Sequence, residues 1–384
     1  MQMLFVAFGA TVLVPLLIGI DPAVALFTAG LGTLLFHLIT GGVIPIFLGS
    51  SFVFIAPIIL STEKFGYATT LTSLIAVGLV FILVSFIIKK KGIKFVQKLF
   101  PPIIVGPVIM IIGLTLSTTA VNMASSNWLL SILTLIFAII IVIFGRKTIK
   151  LLPIIGSMFI VYIIAIFLGV VDFTPIIEAS WFSIPNFITP SFSIDAIGAI
   201  LLMLPVAIAP MIEHIGDMYA IGKATNNNFV KKPGIHRTLL GNGTTTILAS
   251  IFGGPPNTTY SEVTGAIVLT KLKDPVILRI AAITAICFAF IGKVSGFLQT
   301  IPDAILGGNM FLLFGMITVV GIKSITESKT NLNKTKNMVI LGVMLIIGVG
   351  GAVISYGTFS LAGVGLASIV GIILNLLLPD KEIV

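Results

Sequence analysis

Three carboxylates sit in stretches of sequence where a charge is expensive. Glu213 and Asp217 lie in LLMLPVAIAPMIEHIGDM, and Glu262 lies in GGPPNTTYSEVTGAIVLTK. Residues four apart share a helix face, so Glu213 and Asp217 stack about one turn from each other. A charge at the centre of a membrane helix costs roughly 2.5 to 3.5 kcal/mol on the insertion scale, and three uncompensated ones about 8 to 10 kcal/mol. Carboxylates held at that cost suit two tasks. They accept charge-assisted hydrogen bonds from N–H donors, and in a dehydrated cleft they take up and release protons. Plainer readings stand beside these: Glu213 and Asp217 as wet side chains near the inner end of a span, and Glu262 as a helix-capping carboxylate, a role compatible with binding.

Other chemistries find little support. His37, His214 and His236 are scattered, Cys287 is the sole cysteine, and there is no H-E-x-x-H motif, metal-ligand cluster or nucleophile elbow. An enzyme, a metal site and a disulfide framework are therefore not expected, and no cofactor is called for beyond a coupling proton. His37 reads as a packed or backbone-bonded imidazole. His214 points about 100° away from Glu213 around a helix and is expected to brace a neighbour. Tyr260 and Phe52 lie beside chain breaks, where they either pack in the core or line the faces of a flat ligand.

The elements that must position these groups are membrane helices. The chain is 57% hydrophobic and 9% charged, with a mean hydropathy of +1.21. Runs such as TLTSLIAVGLVFILVSFII and NWLLSILTLIFAIIIVIFG show no period-two alternation, so helices are expected over strands. About fourteen segments emerge, from 3–20 through 46–60, 195–217 and 256–270 to 357–378. The first lacks a basic leader and reads as a span, not a signal peptide. The net charge of +9 does not point to nucleic acid. With both termini cytoplasmic, every lysine and arginine except Lys64 and Lys293 falls on the inner side, as the positive-inside rule requires.

An internal repeat organises the segments. FVQKLFPPIIVG begins at Phe95 and FLQTIPDAILGG at Phe297, a displacement of 202. The same shift carries Gly49–Pro57 onto Ile251–Thr259, another apolar stretch broken by Gly, Pro and hydroxyl residues. Seven spans per half is odd, so the second copy enters the bilayer from the opposite side. The expected layout is a first repeat over 1–172, an outer connection over 173–194 and a second repeat over 195–384. Pro45 and the Pro255–Pro256 pair discourage continuous helix near the breaks, and neighbouring hydroxyl, β-branched and aromatic residues favour extension. Extended backbone within a membrane must satisfy its polar groups, so the two pieces are expected to pair with each other. Paired, interrupted segments of inverted repeats are where secondary transporters bind substrate.

With these residues in view, the chain resembles the nucleobase–cation symporter-2 family, the nucleobase–ascorbate transporters, and within it is most similar to the bacterial uracil permeases. The resemblance is carried by FGATVLVP, IPIFLGSSFVFIAP, EHIGD, PGIHR and GGPPNTTYSEVTG. It implies an all-α membrane protein of fourteen spans in two inverted seven-span repeats, with short strands in spans 3 and 10. It further implies core and gate domains, a homodimer and a bacterial cytoplasmic (inner) membrane location. It places substrate-binding glutamates at Glu213 and Glu262, ligand-facing amides at Phe52 and Ser261, and Ala10 and Tyr260 close to the base. The family signature appears as Glu262, Val263, Thr264, Gly265, then Thr270 and Lys271, with Val263 where the family usually has Asn.

The chemistry of the residues agrees with that resemblance. Uracil is neutral and planar with two N–H donors and two carbonyls, which carboxylates and strand-end amides complement at about 1.5 to 3 kcal/mol per charge-assisted bond. The expectation is proton-coupled uracil import, Glu213 and Glu262 holding the base and Asp217 or Glu213 carrying the proton. The alternatives are a xanthine or other purine permease of the same family, a sulfate-type anion carrier, in which two central glutamates would repel the substrate, and a channel, which would need a pore-lining ring.

Overall fold

A computed structural model describes residues 11–92, 101–146, 149–328, 330–356 and 359–379, and the side chains of these except at 151, 261, 262, 268, 269, 355, 356 and 359–362. Helix starts are written locally. Asp21 accepts from the Ala23 N–H at 2.9 Å and Pro22 takes the first position of helix Pro22–Thr40, which Gly41 ends at φ 78°. Asp274 accepts from the Val276 N–H at 2.9 Å and caps Pro275–Ala289 in the same way. Proline is tolerated there because the first-turn N–H groups have no intrahelical acceptor.

Among the described residues, five helices are long and apolar enough to cross a membrane: Pro22–Thr40, Tyr67–Lys91, Pro102–Ala124, Ala196–Thr225 and Asp303–Glu327. Five shorter apolar helices join them: Trp128–Phe144, Pro153–Phe167, Pro275–Ala289, Thr335–Val349 and Gly363–Leu377. Residues 11–18 of the first hydrophobic segment are helical, and residues 3–10 lie outside the described residues. The last segment departs from expectation. Its helix begins at Gly363, after an antiparallel hairpin of Val353–Tyr356 with Phe359–Ala362. The hairpin's β-branched, hydroxyl and aromatic residues favour strand, and a hydropathy window does not separate them from a helix.

The helices pack in two groups, each drawing on both halves of the chain. In one, Ile235–Ile251 packs on Tyr67–Lys91, Pro275–Ala289 packs on Pro22–Thr40, and Pro22–Thr40 also meets Ile235–Ile251. In the other, Pro102–Thr115 crosses Asp303–Glu327, with Trp128–Phe144, Pro153–Phe167, Thr335–Val349 and Gly363–Leu377 around them. Glycine sets the closest crossings. A Cβ on Gly106 would lie 2.9 Å from the Gly321 carbonyl oxygen, and one on Gly321 would lie 2.6 Å from that of Gly106. Without side chains there, the backbones approach closely, as membrane helices require when hydrophobicity does not drive their association.

Two short strands lie within the first group. Strand β1 (Leu48–Ser50) pairs antiparallel with strand β2 (Asn257–Thr259), matching Leu48 with Thr259, Gly49 with Thr258 and Ser50 with Asn257. Ser51 N–H donates to the Pro256 carbonyl at 2.9 Å and extends the pairing. The strands begin 209 residues apart, at Leu48 and Asn257, so the displacement of 202 misaligns them by seven residues. It is nearly right for helices Pro102–Thr115 and Asp303–Glu327, whose starts differ by 201. The drift arises between strand and crossing helix. Tyr67–Lys91 has 25 residues, whereas Pro275–Ala289 has 15.

The connection after Phe167 lies outside the apolar helices. There Asp172 accepts from the Thr174 hydroxyl at 2.6 Å and the Thr174 N–H at 2.9 Å, bonds that hold its carboxyl below the usual carboxylate range. Lys293 donates to the Ile176 and Ile177 carbonyls at 2.7 and 3.1 Å.

Candidate functional site

The strand pair is anchored by side chains on the helices around it. Thr33 Oγ1 accepts from the Leu48 N–H at 2.9 Å and lies 3.3 Å from the Leu48 carbonyl, fixing β1 to helix Pro22–Thr40. His37 Nε2 lies 2.9 Å from the Ile46 carbonyl just before the strand, a buried backbone-bonded imidazole. On the other side, Thr246 Oγ1 donates to the Asn257 carbonyl at 3.2 Å, and Asn257 Nδ2 donates to the Thr28 carbonyl at 2.8 Å. Each strand therefore draws support from a threonine on a packed helix.

Tyr260 follows β2 directly and is buried. Its hydroxyl donates to the Ser50 carbonyl at 2.8 Å, and a Cβ added at Gly49 would lie 2.5 Å from its ring. Gly49 thus lets the ring lie on β1. Phe52 opens the short turn Phe52–Phe54 that leads into helix Ile55–Phe65, and its side chain is half-buried. Ser261 and Glu262 are the first two residues of helix Ser261–Thr270, whose preceding residue Tyr260 is extended at φ −103°, ψ 116°. Their side chains, and the whole of Ala10, lie outside the described residues. Because β1 and β2 are antiparallel, the two helical starts leave from opposite ends of the pair. Each presents first-turn N–H groups that have no acceptor in their own helix.

Glu213 and Asp217 lie on helix Ile208–Thr225, which packs against both Ser261–Thr270 and β2 and also touches Pro102–Thr115 of the second helix group. The pair divides by environment. Asp217 is 4% exposed and accepts a short hydrogen bond at Oδ2 from the Thr259 hydroxyl. Glu213 is exposed, with Gly216 beside it bordering open space. Gly265, three residues past Glu262 and so on the same helix face, borders open space as well. His214, fully buried, lies with Nε2 2.8 Å from Thr238 Oγ1 and Nδ1 3.4 Å from Thr259 Oγ1, the brace expected of it. Thr259, Thr238 and Thr33 were not singled out in the sequence; the NTTY stretch was the available signal for Thr259, but its partner is 42 residues away.

A small cavity of about 90 Å³ lies between the helix groups, lined by Ala56, Pro57, Thr115, Leu202, Val206 and Val364 among others. It is apolar and holds none of the acids. Val263, at the position where the resemblance implies Asn, is fully buried beneath its helix.

The chain is 47% identical to the probable uracil permease of Pasteurella multocida, over 100% of its own length and 93% of that protein's. It is 43% identical to the uracil permease of Bacillus subtilis, over 100% and 92%. Among solved structures it is similar in fold to the transmembrane domain of a cyanobacterium bicarbonate transporter, BicA, at TM-score 0.67 and 16% identity, covering 97% of this chain and 94% of that one. It is also similar to SLC26A9 at TM-score 0.69 and 12% identity, where it covers 98% of its own length and 64% of that chain. Likeness at such identities speaks to fold alone. The profile of the Permease family, Xan_ur_permease, matches residues 1–356, and with full-length relatives at this identity the chain belongs to that family of integral membrane permeases, the nucleobase–cation symporter-2 family.

Proposed function

We propose that the chain is a proton-coupled secondary transporter that imports uracil across a bacterial cytoplasmic membrane. The observation that carries this reading is the antiparallel pair β1–β2, with helical starts at Phe52 and Ser261 and with the Glu213 helix packed against the helix headed by Ser261 and Glu262. Such a junction supplies amide donors for carbonyl oxygens and carboxylate acceptors for ring N–H groups, which is what a neutral planar base with both requires. In this reading Glu213 and Glu262 hold the base, the Phe52 and Ser261 amides meet its carbonyls, and Ala10 and Tyr260 border it. Asp217 or Glu213 carries the proton.

The recurrent packing supports two inverted seven-span repeats, 1–172 and 195–384, joined by an outer connection. In it the helix preceding each strand packs on the second helix after the other strand, Pro22–Thr40 on Pro275–Ala289 and Ile235–Ile251 on Tyr67–Lys91. The helix group that contains the strands is then the core, the other group the gate, and the assembly a homodimer with both termini cytoplasmic. Fold likeness to anion carriers does not favour an anion here, because the carboxylates of Glu213 and Asp217 would repel one.

Counterflow of labelled uracil in proteoliposomes tests the assignment. Trans-acceleration by unlabelled uracil marks a carrier, and its absence sinks the reading. Xanthine added in excess competes weakly if uracil is the substrate; strong competition reassigns the site to purines.

A further inference from the structure

Behind the exposed Glu213, the buried side chains form an unbroken chain of hydrogen bonds. Asp217 Oδ2 meets Thr259 Oγ1, which lies 3.4 Å from His214 Nδ1; His214 Nε2 lies 2.8 Å from Thr238 Oγ1, and Thr238 Oγ1 lies 3.1 Å from the Ile235 carbonyl. The chain joins three elements: helix Ile208–Thr225, strand β2 and the first turn of helix Ile235–Ile251. A hydroxyl has one proton to give, and a neutral imidazole has one N–H and one acceptor nitrogen. With the carboxyl proton carried on Oδ2, the oxygen that meets Thr259, the direction of every bond follows from the charge at its Asp217 end.

An ionised Asp217 can only accept. Thr259 then donates to it, His214 donates from Nδ1 to Thr259, and Nε2 accepts the Thr238 proton. A protonated Asp217 donates to Thr259 instead. Thr259 turns its proton to Nδ1, His214 carries its proton on Nε2 and donates to Thr238, and Thr238 donates to the Ile235 carbonyl. The two arrangements differ by one proton in total. A proton entering at Nε2 converts one into the other by passing the Nδ1 proton to Thr259 and the Thr259 proton to Asp217.

We propose that His214, through Thr259 and Thr238, is a positioning residue whose ring tautomer reports the charge on Asp217 and transmits it to the start of helix Ile235–Ile251. This rests on the reading of Asp217 as a proton carrier. Tying the charge of the acid to the hydrogen bonding of a neighbouring helix is what coupling a proton to a conformational change requires. Other titratable groups on the elements packed around Asp217 are Glu213, Tyr219 and Lys223 on its own helix, Glu262 on Ser261–Thr270, Lys231 and Lys232 in the turn before Ile235–Ile251, and His236 and Arg237 on Ile235–Ile251. Arg237 is engaged with the Ile39 carbonyl at 2.5 Å.

The test is nitrogen NMR of histidine-labelled protein in lipid nanodiscs, with the His214 signals assigned from a His214→Gln sample. The expected result is an Nδ1–H tautomer at high pH and an Nε2–H tautomer at low pH, with Asp217→Asn locked in the Nε2–H form throughout. Thr259→Ser keeps the switch, and Thr259→Val removes it. One tautomer at all pH values in the unaltered protein, or a switch that survives Thr259→Val, overturns the relay. Uracil uptake into proteoliposomes with and without an imposed pH gradient separates the two ideas. Gradient-independent uptake with a switching tautomer refutes proton coupling and leaves the relay standing, whereas gradient-driven uptake with a fixed tautomer refutes the relay alone.

Discussion

The Thr259 hydroxyl bonds the Asp217 carboxylate and so ties strand β2 to the helix that carries Glu213. One contact thereby joins the buried acid with the backbone that heads the Glu262 helix. Removing the donor takes one hydrogen bond from a buried acid, at a cost of about 1.5 to 3 kcal/mol. Thr259→Val is expected to lower thermal stability in detergent and to reduce uracil uptake, and Thr259→Ser to restore both. A Thr259→Val protein as stable and active as its parent would show that the bond does not support the site.

Gly49 and Tyr260 form a second constraint on the strand pair. A methyl group at Gly49 would collide with the Tyr260 ring, so Gly49→Ala is expected to destabilise by about 1 to 3 kcal/mol. Tyr260→Phe keeps the ring but strips the Ser50 carbonyl of its donor, at about 1 kcal/mol. Thermal unfolding of the two single variants and the double variant checks both effects. The variants act on touching groups, so they should combine non-additively.

Thr33 anchors β1 through the Leu48 backbone. Thr33→Val preserves shape and deletes these bonds, with an expected loss of about 1 to 3 kcal/mol and weaker uracil binding from a loosened strand. Unchanged binding would place the Phe52 amide outside the site.

The proposed proton coupling has a defined sign. Import should accelerate as the outside is made more acidic than the inside and should collapse when a protonophore is added. Asp217→Asn is expected to lose the gradient response while retaining counterflow, which needs no net proton movement. An Asp217→Asn protein still driven by the gradient would move the proton to Glu213.

Much of this arrangement is written locally, and those parts were legible. Prolines and hydroxyl residues marked the two extended pieces, and the spacing of Glu213 and Asp217 put them on one helix face. The spacing did not reveal that Asp217 turns into the protein while Glu213 stays exposed, because that depends on which neighbours cover each side. Nor does one displacement relate both the two strands and the two crossing helices, since Tyr67–Lys91 is ten residues longer than Pro275–Ala289. The hairpin ahead of Gly363 was hidden within an apolar run. Contacts such as Thr259 with Asp217, or Tyr260 with Gly49, join distant segments and leave no trace in spacing.

The central claim is that Glu262 and Glu213 together hold a nucleobase, and equilibrium binding of labelled uracil to purified protein tests it most directly. Glu262→Gln removes the charge from an acceptor while keeping its size. Losing a charge-assisted bond of about 1.5 to 3 kcal/mol predicts affinity roughly ten- to a hundredfold weaker, with Glu213→Gln behaving alike. Affinity within twofold of the parent in either variant would contradict the account.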